Sequence, residues 1–433
     1  SLLAHLVGYV GEVGEADMDT TSGRNKYRLG DEIGKLGSEA AMEDHLRGND
    51  GLKLEEVNAA NRVVGRRTIW VDEVEPGSDV AMTISLPLQN AMDVALGEGV
   101  GCGVAISVST GQVLAAVSKP TFDSNLMTVG ISSSQWKSLI DDPSKPFFNR
   151  ITQATYPPAS IYKTITSLAG LSVGIIDTNT ILAPCFGGMD FGDRYFRCWK
   201  RNGHGTVNHT DAMVFSCDTY YYQLGLRLEI DQLAEAARAF GLGSPCSDIF
   251  PSESGGNIPD AAFYDRRFGP RGWTRGVLLN NSIGQGEILV TPLQMALLTA
   301  RIASSGNTPN PTFILDPAPE VELPPALPFK EAHLQWCRDA LWQVVGRGTG
   351  GAAKQDSFSV AGKTGTAQNS HGQDHAWFVC FAPVEKPEVA VAILLENAGG
   401  GGSMAAPIAG QWLKAWFASE DRKIMVSGKD GPS

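Results

Sequence analysis

The sequence predicts an α+β fold whose sheet is built from distant parts of the chain, with helices inserted between them. Two strand-rich regions and one helical region carry that prediction. The first strand region is "GVAISVSTGQVLAAVS", where two apolar runs flank Thr110-Gly111, a hairpin signal. The second lies near the end, in "FSVAGKTGTAQ", "HAWFVCFAPV" and "EVAVAILLEN". Helical periodicity dominates from 160 to about 345.

Residues 1 to about 80 are glycine-rich and charge-rich, as in "RLGDEIGKLGSEAAMEDHLRGNDG". They offer short pieces and little room for a large core. Pro76-Gly77 marks a turn, Val80 to Ile84 reads as a strand and Leu86 to Leu96 as a helix. Segments 183–210 and 244–280 read as loops. A closing helix, "APIAGQWLKAWFAS", precedes a tail from 421 that reads as a mobile end. The expected division is 1–80, 81–420 and 421–433.

Composition narrows the function. The 433 residues, 42% hydrophobic and 19% charged, are those of an ordinary globular protein. A net charge of −12 argues against nucleic acid as partner. No run of 18 apolar residues is present. The chain starts at Ser1 without a methionine or signal-peptide pattern, which reads as a trimmed fragment. Seven cysteines exclude a fully paired disulfide framework. Cys102 and Cys380 sit in apolar strand-like runs and read as core residues.

Three short motifs carry chemistry. In "TYPPASIYKTITSLAG", Ser160 and Lys163 lie one turn apart at the start of a helical pattern. "VFSCDTYYYQLG" holds Ser216 and Asp218 at the head of a helical run. "VAGKTGTAQ" holds Lys363, Thr364, Gly365 and Thr366 on a strand. Each is weak alone; together and in this order they match the set S-x-x-K, S-D-N and K-T-G. A serine hydroxyl needs a neighbouring base to become a nucleophile. Lys163 would be that base, its pKa lowered by burial and by Lys363 as a second cation. Ser216 would bridge the lysines and pass a proton to the leaving amine. Asp218 would accept from a substrate amide or hold a lysine. Thr364 and Thr366 share a face and would grip a substrate carboxylate, Gly365 would admit the substrate backbone, and the N–H groups of Ser160 and Thr366 would form an oxyanion hole.

On these motifs the chain resembles the class B penicillin-binding proteins, and within them the elongation-type penicillin-binding protein 2. "GYVGEV", "RLGDEIGKLGSEAAMEDHLRG", "LLNNSIGQGEILVTPLQMA", "KTGTAQ" and "HAWFVCFAP" extend the likeness over nearly the whole chain. The resemblance implies an antiparallel sheet flanked by helices, an all-helical subdomain and a small N-terminal pedestal of dimerisation type. It implies a D,D-transpeptidase that crosslinks peptidoglycan stem peptides through a serine acyl-enzyme in cell-wall elongation, is acylated by β-lactams and needs no cofactor for that chemistry. It implies an N-terminal membrane helix, absent here, a position outside the cytoplasmic membrane, and partners that include a SEDS-type glycosyltransferase and elongation-complex proteins. Most relatives carry asparagine at the position of Asp218; the aspartate resembles the penicillin-binding protein 2 branch.

Cys185, Cys198, His204 and Cys217, separated by 13, 6 and 13 residues, make a Cys₃His set suited to structural zinc. Some penicillin-binding protein 2 relatives are similar in having zinc at this place. A Cys185–Cys198 disulfide, reduced core thiols, or His209 in place of His204 are the other readings. For function, the alternatives are a D,D-carboxypeptidase or serine β-lactamase on the same fold, or a β-lactam sensor. No E-x-x-L-N stretch supplies a deacylating glutamate, and the pedestal suits neither a β-lactamase nor a minimal carboxypeptidase. No signalling segment is visible.

Overall fold

The central sheet has five antiparallel strands: β1 (Gly101–Ser107), β2 (Val113–Lys119), β3 (Ala361–Ala367), β4 (His375–Ala382) and β5 (Val389–Leu395). Their order is β3-β4-β5-β1-β2, so the early hairpin is added to the free side of the last strand. The helices that cover the sheet or carry the site are α1 (Leu86–Leu96), α2 (Lys163–Ser172), α3 (Asp218–Gly225), α4 (Pro292–Ala303), α5 (Glu331–Arg347) and α6 (Gly401–Ala418). This computed structural model describes residues 2–18, 27–64, 69–247, 250–270, 272–320, 322–370 and 372–422.

Helices cover both faces of the sheet, which is why its strands read as nearly continuous apolar runs rather than alternating ones. On one face, Ala105, Phe378, Cys380 and Ile393 pack with Leu88 and Met92 of α1 and Trp412 and Trp416 of α6. On the other, Val104, Ile106, Trp377 and Val379 join a core with Leu293, Leu297 and Leu298 of α4. Every residue of α4 is buried. Cys102 and Cys380 are fully buried, one on each face. Ser85 caps α1 by accepting from Leu88 N. The Trp412 indole N–H donates to Leu88 O at 3.0 Å, which ties α6 to α1.

Several local expectations need correction. Only Ala81–Met82 of the 80–84 segment is strand, paired with Ile314–Asp316. The 183–210 segment contains a two-stranded hairpin, Gly188–Phe191 with Arg194–Arg197. The 244–280 segment contains helices Ala261–Phe268 and Gly276–Asn281. The first of these is capped by Asp260 and buries only Tyr264, a pattern too short to outweigh the surrounding glycines and prolines. At 421 the chain is still fastened: Asp421 accepts from Ser85 Oγ at 2.5 Å, and Arg422 forms a two-pronged pair with Glu388. Residues 423–433 of the expected mobile tail lie outside the described residues.

The N-terminal part carries two antiparallel strand pairs, Tyr9–Glu12 with Glu32–Leu36 and Leu52–Leu54 with Ile69–Asp72. Its first helix, Ala4–Val7, inserts into the main body. His5 stacks edge-on against Phe122 and bonds Pro146 O, and Leu6 is in the main core.

Candidate active site

Ser160 lies in a 3₁₀ turn, Ala159–Tyr162, that runs straight into α2. Ala159 has φ of 51°, the left-handed region, which costs a non-glycine residue about 1–2 kcal/mol. Its N–H donates to Gly284 O at 2.9 Å. Gly284 is itself at φ 69°, and a Cβ there would stand 2.3 Å from Ala159 O. Ser216, in the break before α3, also has a positive φ, 55°. Backbone strain is therefore held at the first two motifs, as is common at functional sites.

The three motifs converge. Lys163 Nζ, fully buried, donates to Asp218 Oδ1 at 2.6 Å, Ser216 O at 2.9 Å and Ser216 Oγ at 3.1 Å. Lys363 Nζ reaches from β3 to the same Oγ at 3.0 Å. The Ser216 hydroxyl thus stands between two lysines. Asp218 Oδ2 accepts from Trp199 N at 2.8 Å, so both carboxylate oxygens are engaged within the protein. Burial, then the charge of Lys163, holds Lys363 well below the usual lysine range, against the pull of Asp218. The carboxylate pairs with Lys163 and not with Lys363.

β3 is the edge strand of the sheet, and its free edge faces the cleft. Thr366 O accepts from Gln285 Nε2 at 3.3 Å on that edge. In an antiparallel strand one residue's N–H and C=O point to the same side, so Thr366 N–H also faces the cleft. Thr364 Oγ1 pairs with Thr349 Oγ1 at 2.8 Å. Gly365 lies so close to Trp377 Cβ and Pro158 O that an added Cβ would be 3.0 and 3.1 Å from them. The Trp377 indole N–H donates to Pro157 O at 3.1 Å, which fastens the sheet to the segment carrying Ser160. The cleft of about 550 Å³ is lined by Ser160, Ser216, Asp218, Thr364 and Thr366 together with Arg197, Trp199, Arg201 and the Gly400–Gly402 turn.

Behind Ser216, the ligand atoms of Cys185, Cys198, His204 and Cys217 lie within 4.8 Å of one another. None of the seven cysteines is in a disulfide. His204 Nδ1 is 3.5 Å from Cys198 Sγ and 3.8 Å from Cys185 Sγ, while its buried Nε2 has no partner among the described residues. Hydrogen bonding from Cys217 pulls the Cys198 thiol well down, and Cys217 is pushed up in return. His209 is elsewhere: it stacks on Trp336 at 4.0 Å and bonds Ser167 Oγ.

Sequence reasoning missed Thr349, Gln285, Trp377 and Trp199. Only Gln285 left a trace, in the glycine-flanked "GQG".

Comparison with known proteins agrees with this geometry. The penicillin-binding protein transpeptidase domain matches residues 101–414, and the penicillin-binding protein dimerisation domain matches residues 1–82. The peptidoglycan D,D-transpeptidase MrdA of Haemophilus influenzae is 35% identical over 94% of this chain and 67% of its own length. The Escherichia coli K12 protein of that name is 33% identical over 93% of this chain and 68% of its own. The chain thus spans about two thirds of the length of these relatives. Pseudomonas aeruginosa PBP2, in a crystal structure with WCK 5153, superposes with a TM-score of 0.86 at 33% identity, covering 97% of this chain and 89% of that one. PBP2 in the Helicobacter pylori complex with MreC gives 0.86 at 30% identity, covering 96% and 78%. With the three motifs gathered around one buried hydroxyl and both domain models matched, the chain belongs to the class B penicillin-binding proteins, in their penicillin-binding protein 2 branch.

Proposed function

We propose that the chain is the periplasmic part of a peptidoglycan D,D-transpeptidase of cell-wall elongation, acting through an acyl-enzyme on Ser160. The observation that carries the reading is Ser216 Oγ held at 3.1 and 3.0 Å by Lys163 and Lys363, in the cleft that Ser160 lines. Ser160 Oγ attacks the penultimate D-alanine carbonyl. Its proton goes to Lys163, which first passes one through Ser216 to Lys363. Burial favours the neutral amine of Lys363, so it is the fitting reservoir. The developing oxyanion is held by Thr366 N–H and by Ser160 N–H, the latter at a helix start. Terminal D-alanine leaves with the proton delivered by Ser216. Thr364 and Thr366 hold the donor carboxylate. Penicillin enters by the same attack. Mass spectrometry after penicillin treatment should place the adduct on the peptide containing "PPASIYK" and find none in Ser160→Ala; an adduct elsewhere overturns the reading.

The Cys185, Cys198, His204 and Cys217 set is read as a structural zinc site. Zinc bonds of about 2.3 Å to sulfur and 2.0–2.1 Å to nitrogen at a tetrahedral angle require sulfur–nitrogen edges of about 3.6 Å. The 3.5 and 3.8 Å separations around His204 Nδ1 fit that requirement. The ion would join the 183–210 segment to the start of α3 and supply stability rather than chemistry.

Residues 1 to about 80 are read as a docking pedestal and 81–420 as the catalytic domain. Exposed Leu52, Leu54, Val71 and Val74 support a partner-facing role. So does the Helicobacter pylori PBP2 complex with MreC, and a related structure is described as a peptidoglycan synthase complex. A SEDS-type glycosyltransferase is the expected membrane partner. No helix among the described residues is long and apolar enough to cross a membrane; the anchor belongs to the N-terminal helix expected from the family.

A further inference from the structure

Arg197 and Arg201 line the cleft, at either side of Trp199 in the chain. Both are exposed. Neither guanidinium has an ion pair or a side-chain hydrogen bond among the described residues, in a protein of net charge −12. The carboxylates lining the same cleft already accept hydrogen bonds from other groups. Asp218 gives both oxygens to Lys163 and Trp199, and Asp374 Oδ1 accepts from Asn369 N. The segment bearing the arginines is also rigidly placed. Cys198 N donates to Gly187 O at 2.8 Å, and the Trp199 indole donates to Ser216 O at 3.0 Å. Two guanidinium forks without a counter-ion among the described residues, on a held backbone lining a cleft, are suited to a carboxylate.

In the reading above, Thr364 and Thr366 hold the donor carboxylate, which leaves the arginines without a donor role. We propose that Arg197 and Arg201 are specificity determinants for the second substrate, binding a carboxylate carried beside the attacking amine of the acceptor. The inference rests on the acyl-enzyme reading above and extends it to the acceptor. In the step concerned, the acceptor nitrogen bonds to the acyl carbon of the Ser160 ester. The carbon–Oγ bond breaks, and the amine proton passes through the lysine–serine relay to Ser160 Oγ. The arginines touch the acceptor and not the reacting atoms.

The test uses the chain acylated by a thioester analogue of the donor peptide. Partition between water and two acceptors is then followed: D-alanine, which has a carboxylate beside its amine, and D-alaninamide, which has none. The two amines differ in basicity, so the quantity read is the change in each rate from wild type to variant. In Arg197→Ala/Arg201→Ala, transfer to D-alanine should fall about tenfold or more, the value of a lost charge-assisted contact. Transfer to D-alaninamide and acylation by a fluorescent penicillin should stay as in wild type. The Arg197→Lys/Arg201→Lys pair, which keeps the charge without the fork, should retain most of the preference. Equal loss with both acceptors overturns the proposal, as does unchanged transfer to D-alanine. Slower penicillin acylation in the Ala pair assigns the arginines to the donor and also overturns it. A wild-type chain that acylates yet transfers to neither acceptor defeats this proposal alone. One that never acylates defeats the reading beneath it.

Discussion

Asp218→Asn removes one charge and almost no volume, and the structure predicts that it is costly. Two donors converge on the carboxylate, Lys163 Nζ at 2.6 Å and Trp199 N–H at 2.8 Å. A carboxylate accepts at both oxygens, whereas an amide accepts at one. Either orientation of the asparagine therefore sets its NH₂ against a donor. The Lys163 side chain is 0% exposed and that of Asp218 10%, so water does not repair the loss. A buried donor left unpaired costs about 1–3 kcal/mol, and a buried pair broken on one side costs about 3–5 kcal/mol. The retained amide oxygen offsets part of this, leaving an expected loss of about 2–4 kcal/mol. At about 2 °C per kcal/mol for a domain of this size, melting should fall by roughly 4–8 °C. Differential scanning calorimetry of wild type and variant measures it. A double-mutant cycle with Lys163→Met isolates the pair. A melting temperature within 1 °C of wild type, or a coupling energy near zero, refutes the reasoning.

Lys363→Met should abolish acylation and change how stability depends on pH. The folded-state pKa of Lys363 is depressed, so the unfolded chain binds more protons between that value and about 10.4. Wild-type stability thus gains on the variant as pH rises through that window, by at most about 1.4 kcal/mol per unit; parallel melting curves from pH 6 to 10 would contradict it. Gly365→Ala should slow penicillin acylation by up to about a hundredfold with little change in melting, because its Cβ presses on Pro158 O beside the nucleophile; wild-type acylation rates would show that the strand tolerates the shift. Cys217→Ser should lower melting and acylation together, and elemental analysis of protein purified without added metal should find about one zinc per chain. Metal-free protein with full activity would remove the zinc reading.

The chemistry was legible because it is written in short, local spacing. Ser160 and Lys163 need only one helical turn, and Lys363 to Thr366 only a strand. The core strands were legible for the same reason, each being an uninterrupted apolar run. What was not legible depends on contacts between distant residues. Asp218 reads as a motif letter, but its pairing with Trp199 follows from the hairpin that the 183–210 segment forms. Trp377 looks like any core tryptophan until Pro157, 220 positions away in the chain, is seen to accept from it. The positive φ of Ala159 and Ser216 has no sequence signal, since neither residue is a glycine. Which lysine Asp218 meets is likewise a matter of distant contact, Lys163 rather than Lys363.

The strand order also governs how this chain acquires its shape. β1 has β2 on one side and β5 on the other, and β5 is made nearly 300 residues later than β1. Until the C-terminal strands emerge, the first hairpin exposes an unpaired edge, "GCGVAIS", all of which is buried once folding is complete. Such an edge is a template for pairing with other chains. Closing it also requires a long loop to be ordered first, which slows folding. A chain crossing a membrane from its N-terminus would carry this bare edge through most of its export. Its yield should therefore depend on holding chaperones.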